Sequence, residues 1–451
     1  MNKANYLNKL MYLGTLAILL TFVACWDSNE DNPIPYFGQA DRTVIGLILA
    51  DNSLDSFFDS DTQKQFESDP DPDLDEIILG MENSSIDWDR NNVVLFVDDL
   101  SSAPYIINLR REKNNSNDYV IVKDTIFKYT EESIADIEDI HFAESSSTES
   151  MCKDALKRII TKFDAKSYGL ILWSHGDGWI PSENYITPTV ATRKFGQDTN
   201  TGTIPDIKWL ENSELKSIIA YSCDLMAISE KKYEFIYADA CEMANITTVY
   251  DFKDYCKYFI GSVAETPGYG GCYTTQLPAM FEVSNPALAV ATAYNAYYNG
   301  SWHWTSNAGA QLSVIKTSGL DNLAAVTKEF LEKTEIAASI ASINWSQMQY
   351  FDRGRQNNIA IYYDFQQVME SVLTSDQLET WNTALDGVIE KTFVPEKIYS
   401  GIAPGVFTAN PCCGLAAYFP GACSNTKWNT YFQTYTWYED AGMGNIQDEI
   451  Y

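Results

Sequence analysis

A chain of 451 residues is about three times the ~150 typical of one domain. With 45% hydrophobic and 13% aromatic residues it holds ample material for a packed core, which excludes global disorder. Its 62 acidic against 31 basic residues give a net charge of −31, which argues against nucleic acid as a partner, because neutralising phosphates needs clustered Lys and Arg.

Lys3 and Lys9 precede a 15-residue apolar stretch, Leu10–Ala24, shorter than the ~20 residues of a membrane-spanning helix. This pattern reads as a secretory signal. It ends Thr21-Phe22-Val23-Ala24-Cys25, which resembles a bacterial lipobox with Phe22 in place of the usual leucine. The resemblance implies that Cys25 becomes a lipidated N-terminus; an ordinary cleaved signal with an incidental cysteine is the alternative. The acidic run Trp26–Asp31 is similar to the surface-export signal of some lipoproteins, so the expected location is the cell envelope of a bacterium, at the outer membrane or cell surface. Removing residues 1–24 takes away two lysines and leaves a net charge of −33.

Thr43–Ala50 is apolar without strict alternation, as in a strand covered on both faces. The turn Asp51-Asn52-Ser53-Leu54 follows. Asp69-Pro70-Asp71-Pro72-Asp73 reads as an exposed, solvated loop, with calcium binding as the alternative, and Leu74–Met81 as a helix. Val93–Val97 is a second strand, Tyr105–Leu109 its hairpin return, and Tyr119–Val122 a further short strand. Glu149–Phe163 has helical spacing. Tyr168–Ser174 is a strand ending at His175, and Tyr233–Ala240 another ending at Cys241. Between them lie a loop-rich region and a helix at Leu215–Tyr221. Met243–Lys253 reads as a helix and Tyr258–Ala264 as a strand. Beyond about residue 280 helices dominate, at Pro286–Tyr298, Leu320–Ile343, Asp364–Thr374 and from a capping box at Thr374, before a strand at Gly414–Phe419. The alternation argues for an α/β fold, a mainly parallel sheet flanked by helices. The expected organisation is a signal (1–24), a tether (25–41), an α/β domain (42–280) and a helix-rich C-terminal region (281–451) packed on it.

Ligands of open parallel sheets bind outside the carboxyl ends of the strands. His175 and Cys241, 66 residues apart, occupy two such ends. Cys241 is also expected to open the Met243–Lys253 helix, whose N-terminal partial charge favours a thiolate. Gly176 and Gly178 allow close approach of backbone to substrate. The N–H groups of Gly176 and Cys241 are candidates for holding an oxyanion. Each residue alone has a structural reading; the pairing at neighbouring strand ends is what points to chemistry.

The motifs Tyr168-Gly169-Leu170-Ile171-Leu172-Trp173-Ser174-His175-Gly176-Asp177-Gly178-Trp179, Asp239-Ala240-Cys241-Glu242-Met243-Ala244-Asn245 and Ser262–Gly270 resemble those of the clostripain-like cysteine peptidases, whose caspase-like fold is shared with gingipains and legumains. The resemblance covers roughly residues 42–440. It implies an endopeptidase in which Cys241 attacks the scissile carbonyl to form an acyl-enzyme and His175 protonates the leaving amine. It names Asp239 and Tyr269 as residues of the primary pocket. Tyr269 stands where relatives that cleave after Arg or Lys carry a second acid, which makes a basic preference doubtful. Asp177 would orient His175, touch substrate or bind the calcium that some relatives need. Arg193-Lys194 and Lys231-Lys232 offer sites for self-processing.

Among the nine cysteines, Cys412, Cys413 and Cys423 are close enough in sequence for a disulfide. Cys152, Cys223 and Cys256 read as core, and Cys272 as core or as a rival of Cys241. His303 reads as part of an aromatic cluster and His141 as exposed. No metal site is expected. A non-catalytic lipoprotein that binds peptides or partner proteins in the same crevice is the alternative function.

Overall fold

The computed structural model describes residues 39–55, 72–100, 102–135, 148–181, 195–198, 209–301, 308–352, 360–401, 405–423 and 426–448. Cys25 and its flanking signal, Asp69 to Asp71, His141, Arg193-Lys194 and His303 lie outside these residues.

Five strands form a parallel centre: β1 (Arg42–Leu49), β2 (Asn91–Asp98), β5 (Tyr168–Trp173), β6 (Tyr233–Asp239) and β7 (Cys256–Gly261). On one side the hairpin β3 (Tyr105–Lys113) and β4 (Tyr119–Lys128) continues the sheet in antiparallel fashion. On the other, β8 (Leu312–Lys316) is antiparallel to β7. A short strand β9 (Tyr363–Asp364) pairs with Ala416–Ala417 apart from this sheet, and β10 (Ile389–Phe393) closes the second edge. The order of the nine strands is β10-β8-β7-β6-β5-β1-β2-β3-β4.

The period-two alternation of strand side chains explains the layering. Ile45, Leu47, Leu49, Leu170, Leu172 and Ile236 point to one face, where the helices Glu149–Lys162 and Asn212–Leu225 cover them. Val44, Ile48, Ile171, Trp173, Phe235 and Tyr237 point to the other, beneath Asp73–Glu82, Tyr273–Ala279 and Pro286–Ala296. Both faces are buried, which is why the central strands carry near-continuous apolar runs. Among the described residues no helix is long and apolar enough to cross a membrane.

Residues 39 to 451 form one compact unit, and residue 280 falls inside it, since β8 and β10 from beyond that point complete the sheet. The helix expected over Leu320–Ile343 is two, Leu320–Leu331 and Thr334–Ala341. The first buries Leu323, Ala324, Thr327 and Phe330, the second Ile336, Ala337 and Ile340. In one continuous helix Ile336, nine residues past Thr327, would point about 180° away from the core. The break at Lys333 brings it back. Only Ala416–Ala417 is extended within the strand expected at Gly414–Phe419.

Candidate active site

Strand β5 delivers the histidine. Past Trp173, Ser174 Oγ donates to Leu49 O at the end of β1 (2.9 Å) and accepts the Gly196 N–H (3.0 Å), which fixes the chain where it leaves the sheet. His175 is half-buried, and its Nε2 lies 2.9 Å from the hydroxyl of Ser53 in the turn after β1. The loop beyond is clamped by Tyr362, whose hydroxyl donates to Asp177 O (2.5 Å) and accepts the Trp179 N–H (3.1 Å). Gly178 has φ +70°, and a Cβ there would come within 2.1 Å of the Tyr362 hydroxyl, so this position combines left-handed backbone with a close approach that only glycine permits. Trp179 is buried among Tyr418, Phe432 and Tyr435, and Tyr435 donates to its carbonyl at 2.9 Å.

Strand β6 delivers the cysteine, by a different route from the one expected. The helix after it spans Ile246–Phe252, capped by Asn245 Oδ1 accepting the Thr248 N–H (2.9 Å). Cys241 is therefore not at a helix N-terminus. Glu242 has φ +60°, a left-handed conformation that costs about 1 kcal/mol for a non-glycine residue. It is held there because its N–H donates to Ala264 O (3.0 Å) and its carbonyl accepts Asn245 Nδ2 (2.8 Å). Ala244 is tied to Ser262 O as well, so the segment runs beside the chain leaving β7 instead of coiling. In place of a helix dipole, Cys241 Sγ receives the Thr266 N–H at 3.3 Å and lies 3.6 Å from the Thr266 hydroxyl.

Parallel pairing brings the two loops together. Trp173 pairs with Asp239, an offset of 66 residues, the same that separates His175 from Cys241. A Cβ on Gly176 would meet Cys241 O at 2.6 Å, Ala240 Cβ at 2.9 Å and Cys241 N at 3.0 Å. The backbones of Gly176 and Cys241 are thus in contact. Half-buried histidine and cysteine, each with its own hydroxyl partner, flank this contact. The arrangement is chemically able to supply a nucleophilic sulfur, a proton donor and backbone N–H groups within one crevice.

Asp239 is buried, and its Oδ2 accepts the Gly271 N–H (2.6 Å) and the Tyr273 hydroxyl (2.8 Å). Burial pushes this carboxyl up to about 6, against the lowering effect of those bonds. Asp73, expected to be solvated, is buried too and accepts Trp173 Nε1 at 2.6 Å. A buried indole N–H usually finds an acceptor, and this one is met by a carboxyl from the start of the Asp73–Glu82 helix. Burial raises Asp73 well above the usual carboxylate range, and the neighbouring Asp239 and Glu76 raise it further. The turn Pro267–Gly270, with half-buried Tyr269, rests on this floor: a Cβ on Gly270 would approach Asp73 Oδ2 to 2.3 Å. Asp177 lines a small niche with Glu211, Asn212 and Met243. Among the described residues no group of three or more His, Cys, Asp or Glu side chains is placed to hold a metal ion.

The remaining cysteines divide from Cys241 by environment. Cys152, Cys223 and Cys256 are buried, and burial pushes every one of their thiols up. Cys272 is buried as well, raised to about 12, with Sγ directed at Ala293 O, so it is no rival nucleophile. Cys412, Cys413 and Cys423 are free thiols in place of the expected disulfide. Cys413 Sγ donates to Leu415 O at 3.1 Å and Cys423 Sγ lies 3.5 Å from the Tyr418 hydroxyl.

Ser53, Asp73, Thr266 and Tyr362 were not singled out from the sequence. Thr266 lies inside the Ser262–Gly270 motif segment, 25 residues from Cys241. Ser53, Asp73 and Tyr362 carried no local signal, since their partners are 122, 100 and 183 to 185 residues away.

The sequence matches the clostripain family, peptidase C11, over residues 48–445. No curated protein sequence matches the chain. Among solved structures, a secreted C11 cysteine protease from Bacteroides thetaiotaomicron, in complex with an irreversible peptide inhibitor, is similar at 28% identity. That match covers 89% of this chain and 99% of the other, with a TM-score of 0.69. An inactive zymogen C11 protease from Parabacteroides distasonis shares the fold at 23% identity and a TM-score of 0.69, over 91% of this chain and 99% of its own. With both motifs at adjoining strand ends and the family match spanning most of its length, the chain belongs to the clostripain family and is a cysteine peptidase with the caspase-like fold.

Proposed function

We propose that the protein is an exported endopeptidase that works through Cys241 and His175. The observation that supports this reading is the β5–β6 register, which ends with Trp173 beside Asp239, two residues before His175 and Cys241, together with the close approach of Gly176 to the Cys241 backbone. Cys241 Sγ attacks the scissile carbonyl. The charge that develops on its oxygen is met by the N–H groups of Gly176 and Cys241. His175 gives a proton to the departing amine, the C–N bond breaks, and an acyl-enzyme remains. Water then releases the acid and regenerates the thiol. The Thr266 N–H, 3.3 Å from the sulfur, favours the thiolate that begins this sequence.

Substrate preference is argued from the floor of the site. Asp239 is engaged by Gly271 and Tyr273 and shares its low-dielectric surroundings with Asp73, so the two do not readily both ionise at neutral pH. Tyr269 adds no charge. A strong demand for Arg or Lys at the cleavage site is therefore not expected. The leader with Cys25 supports export and lipid anchoring at the cell envelope. The secreted C11 protease from Bacteroides thetaiotaomicron is in keeping with export.

The test is labelling with peptide acyloxymethyl ketones of varied first residue, on wild type and Cys241→Ala. Wild type is expected to label and the variant not. Labelling confined to Arg and Lys probes would overturn the specificity reading, and absence of labelling by every probe would favour a peptide-binding surface protein.

A further inference from the structure

Ser53 is exposed, so packing does not account for its place. The turn that carries it is nonetheless rigidly set. Buried Asn52 donates through Nδ2 to Leu49 O (2.9 Å) and Gln197 O (3.1 Å), and accepts the Leu54 N–H through Oδ1 (3.0 Å). Asn52 N–H also donates to Ala50 O at 2.6 Å. The neighbouring hydroxyl is held 2.9 Å from His175 Nε2, across a separation of 122 residues. Parallel pairing of β1 with β5 accounts for the meeting, because it puts the turn after one strand beside the loop after the other.

We propose that Ser53 is the positioning residue for His175. This rests on the Cys241–His175 reading above. Its hydroxyl accepts the Nε2–H in both protonation states of the ring. In the neutral ring that bond selects the tautomer with Nδ1 unprotonated. In the imidazolium it steadies the positive charge and leaves the Nδ1 proton as the one that passes to the leaving amine. When the C–N bond breaks, that proton ends on the amine and the ring is neutral. The water that cleaves the acyl-enzyme returns a proton to the ring or to the sulfur. Ser53 touches neither substrate nor sulfur in this scheme; it acts through the imidazole.

The test compares wild type with Ser53→Ala, Ser53→Thr and His175→Ala. Two substrates share the acyl group that the acyloxymethyl ketone panel selects. One is a coumarin amide, whose amine must be protonated to leave; the other is a p-nitrophenyl ester, whose leaving group needs no proton. For Ser53→Ala, kcat on the amide is expected to fall about tenfold with KM unchanged, and the ester to be little affected. A general acid is lost as pH rises through its pKa, and removing the acceptor lowers that pKa. The alkaline limb of the amide profile should therefore move to lower pH by about half a unit to one unit. Ser53→Thr should restore both. An unchanged alkaline limb and kcat in Ser53→Ala would overturn the proposal, as would equal losses on amide and ester that threonine does not rescue. Full amide turnover by His175→Ala would instead remove the dyad reading on which it rests.

Discussion

The loops after β5 and β6 carry the two candidate reacting groups, but the balance of near and distant anchors differs between them. The cysteine loop is fixed largely from nearby in sequence: Asn245 ties Glu242 and caps the next helix, and Ala264, Ser262 and Thr266 follow one strand later, with one distant tie where the Ala416 N–H donates to Ala244 O at 3.0 Å. The histidine loop is fixed from far away, by Tyr362 and Tyr435. Local fixation lets a strained residue such as Glu242 be recovered within the motif itself. Distant fixation makes the histidine's geometry depend on the C-terminal half being folded.

That contrast can be broken most sharply at Tyr362. Tyr362→Phe leaves the Asp177 carbonyl and the Trp179 N–H buried without their partner, at a cost of about 1–3 kcal/mol each. Amide turnover is expected to fall at least about tenfold by this loosening of the histidine loop, while Cys241 alkylation by iodoacetamide stays near the wild-type rate. A parallel loss of alkylation would show that the two loops are not held separately. Next in size is the acidic floor under the Pro267–Gly270 turn. The folded-state pKa of Asp239, about 6, exceeds the ~3.9 of an unfolded aspartate, so the native state binds more protons between these values. The Asp239 contribution to stability should therefore fall as pH rises from about 4 to 6, and buried Asp73, also raised, extends the fall above that range. Urea unfolding at stepped pH would show this slope in wild type and a flatter one in Asp239→Asn; equal slopes would mean that the carboxyl is not perturbed by burial. The smallest effect is expected at Thr266. Thr266→Val removes the hydroxyl beside the sulfur but keeps the N–H, so iodoacetamide should alkylate Cys241 about threefold more slowly. No change would mean that the hydroxyl does not support the thiolate.

Much of this was legible in the sequence where the signal is local. The continuous apolar runs of β1, β5 and β6 announced strands buried on both faces, and His175 and Cys241 marked their ends. What could not be read came from packing between distant segments. Ile389–Phe393 is only half-buried at the sheet edge, so no apolar run announced β10. Asp73 looked like one more solvated charge because its partner, Trp173, lies a hundred residues on. The Met243–Lys253 stretch had helical composition, but its first turn is drawn away by backbone bonds to the chain leaving β7. In place of the helix dipole expected at Cys241 stands the Thr266 amide, which no spacing rule would have supplied.

The most direct measurement is the site of acyloxymethyl ketone labelling in the native protein, mapped by peptide mass, together with residual peptidase activity. The expected result is one adduct, on Cys241, formed in step with loss of all turnover and absent from Cys241→Ala. An adduct on any other cysteine, or turnover that survives full labelling of Cys241, would contradict the assignment of the nucleophile.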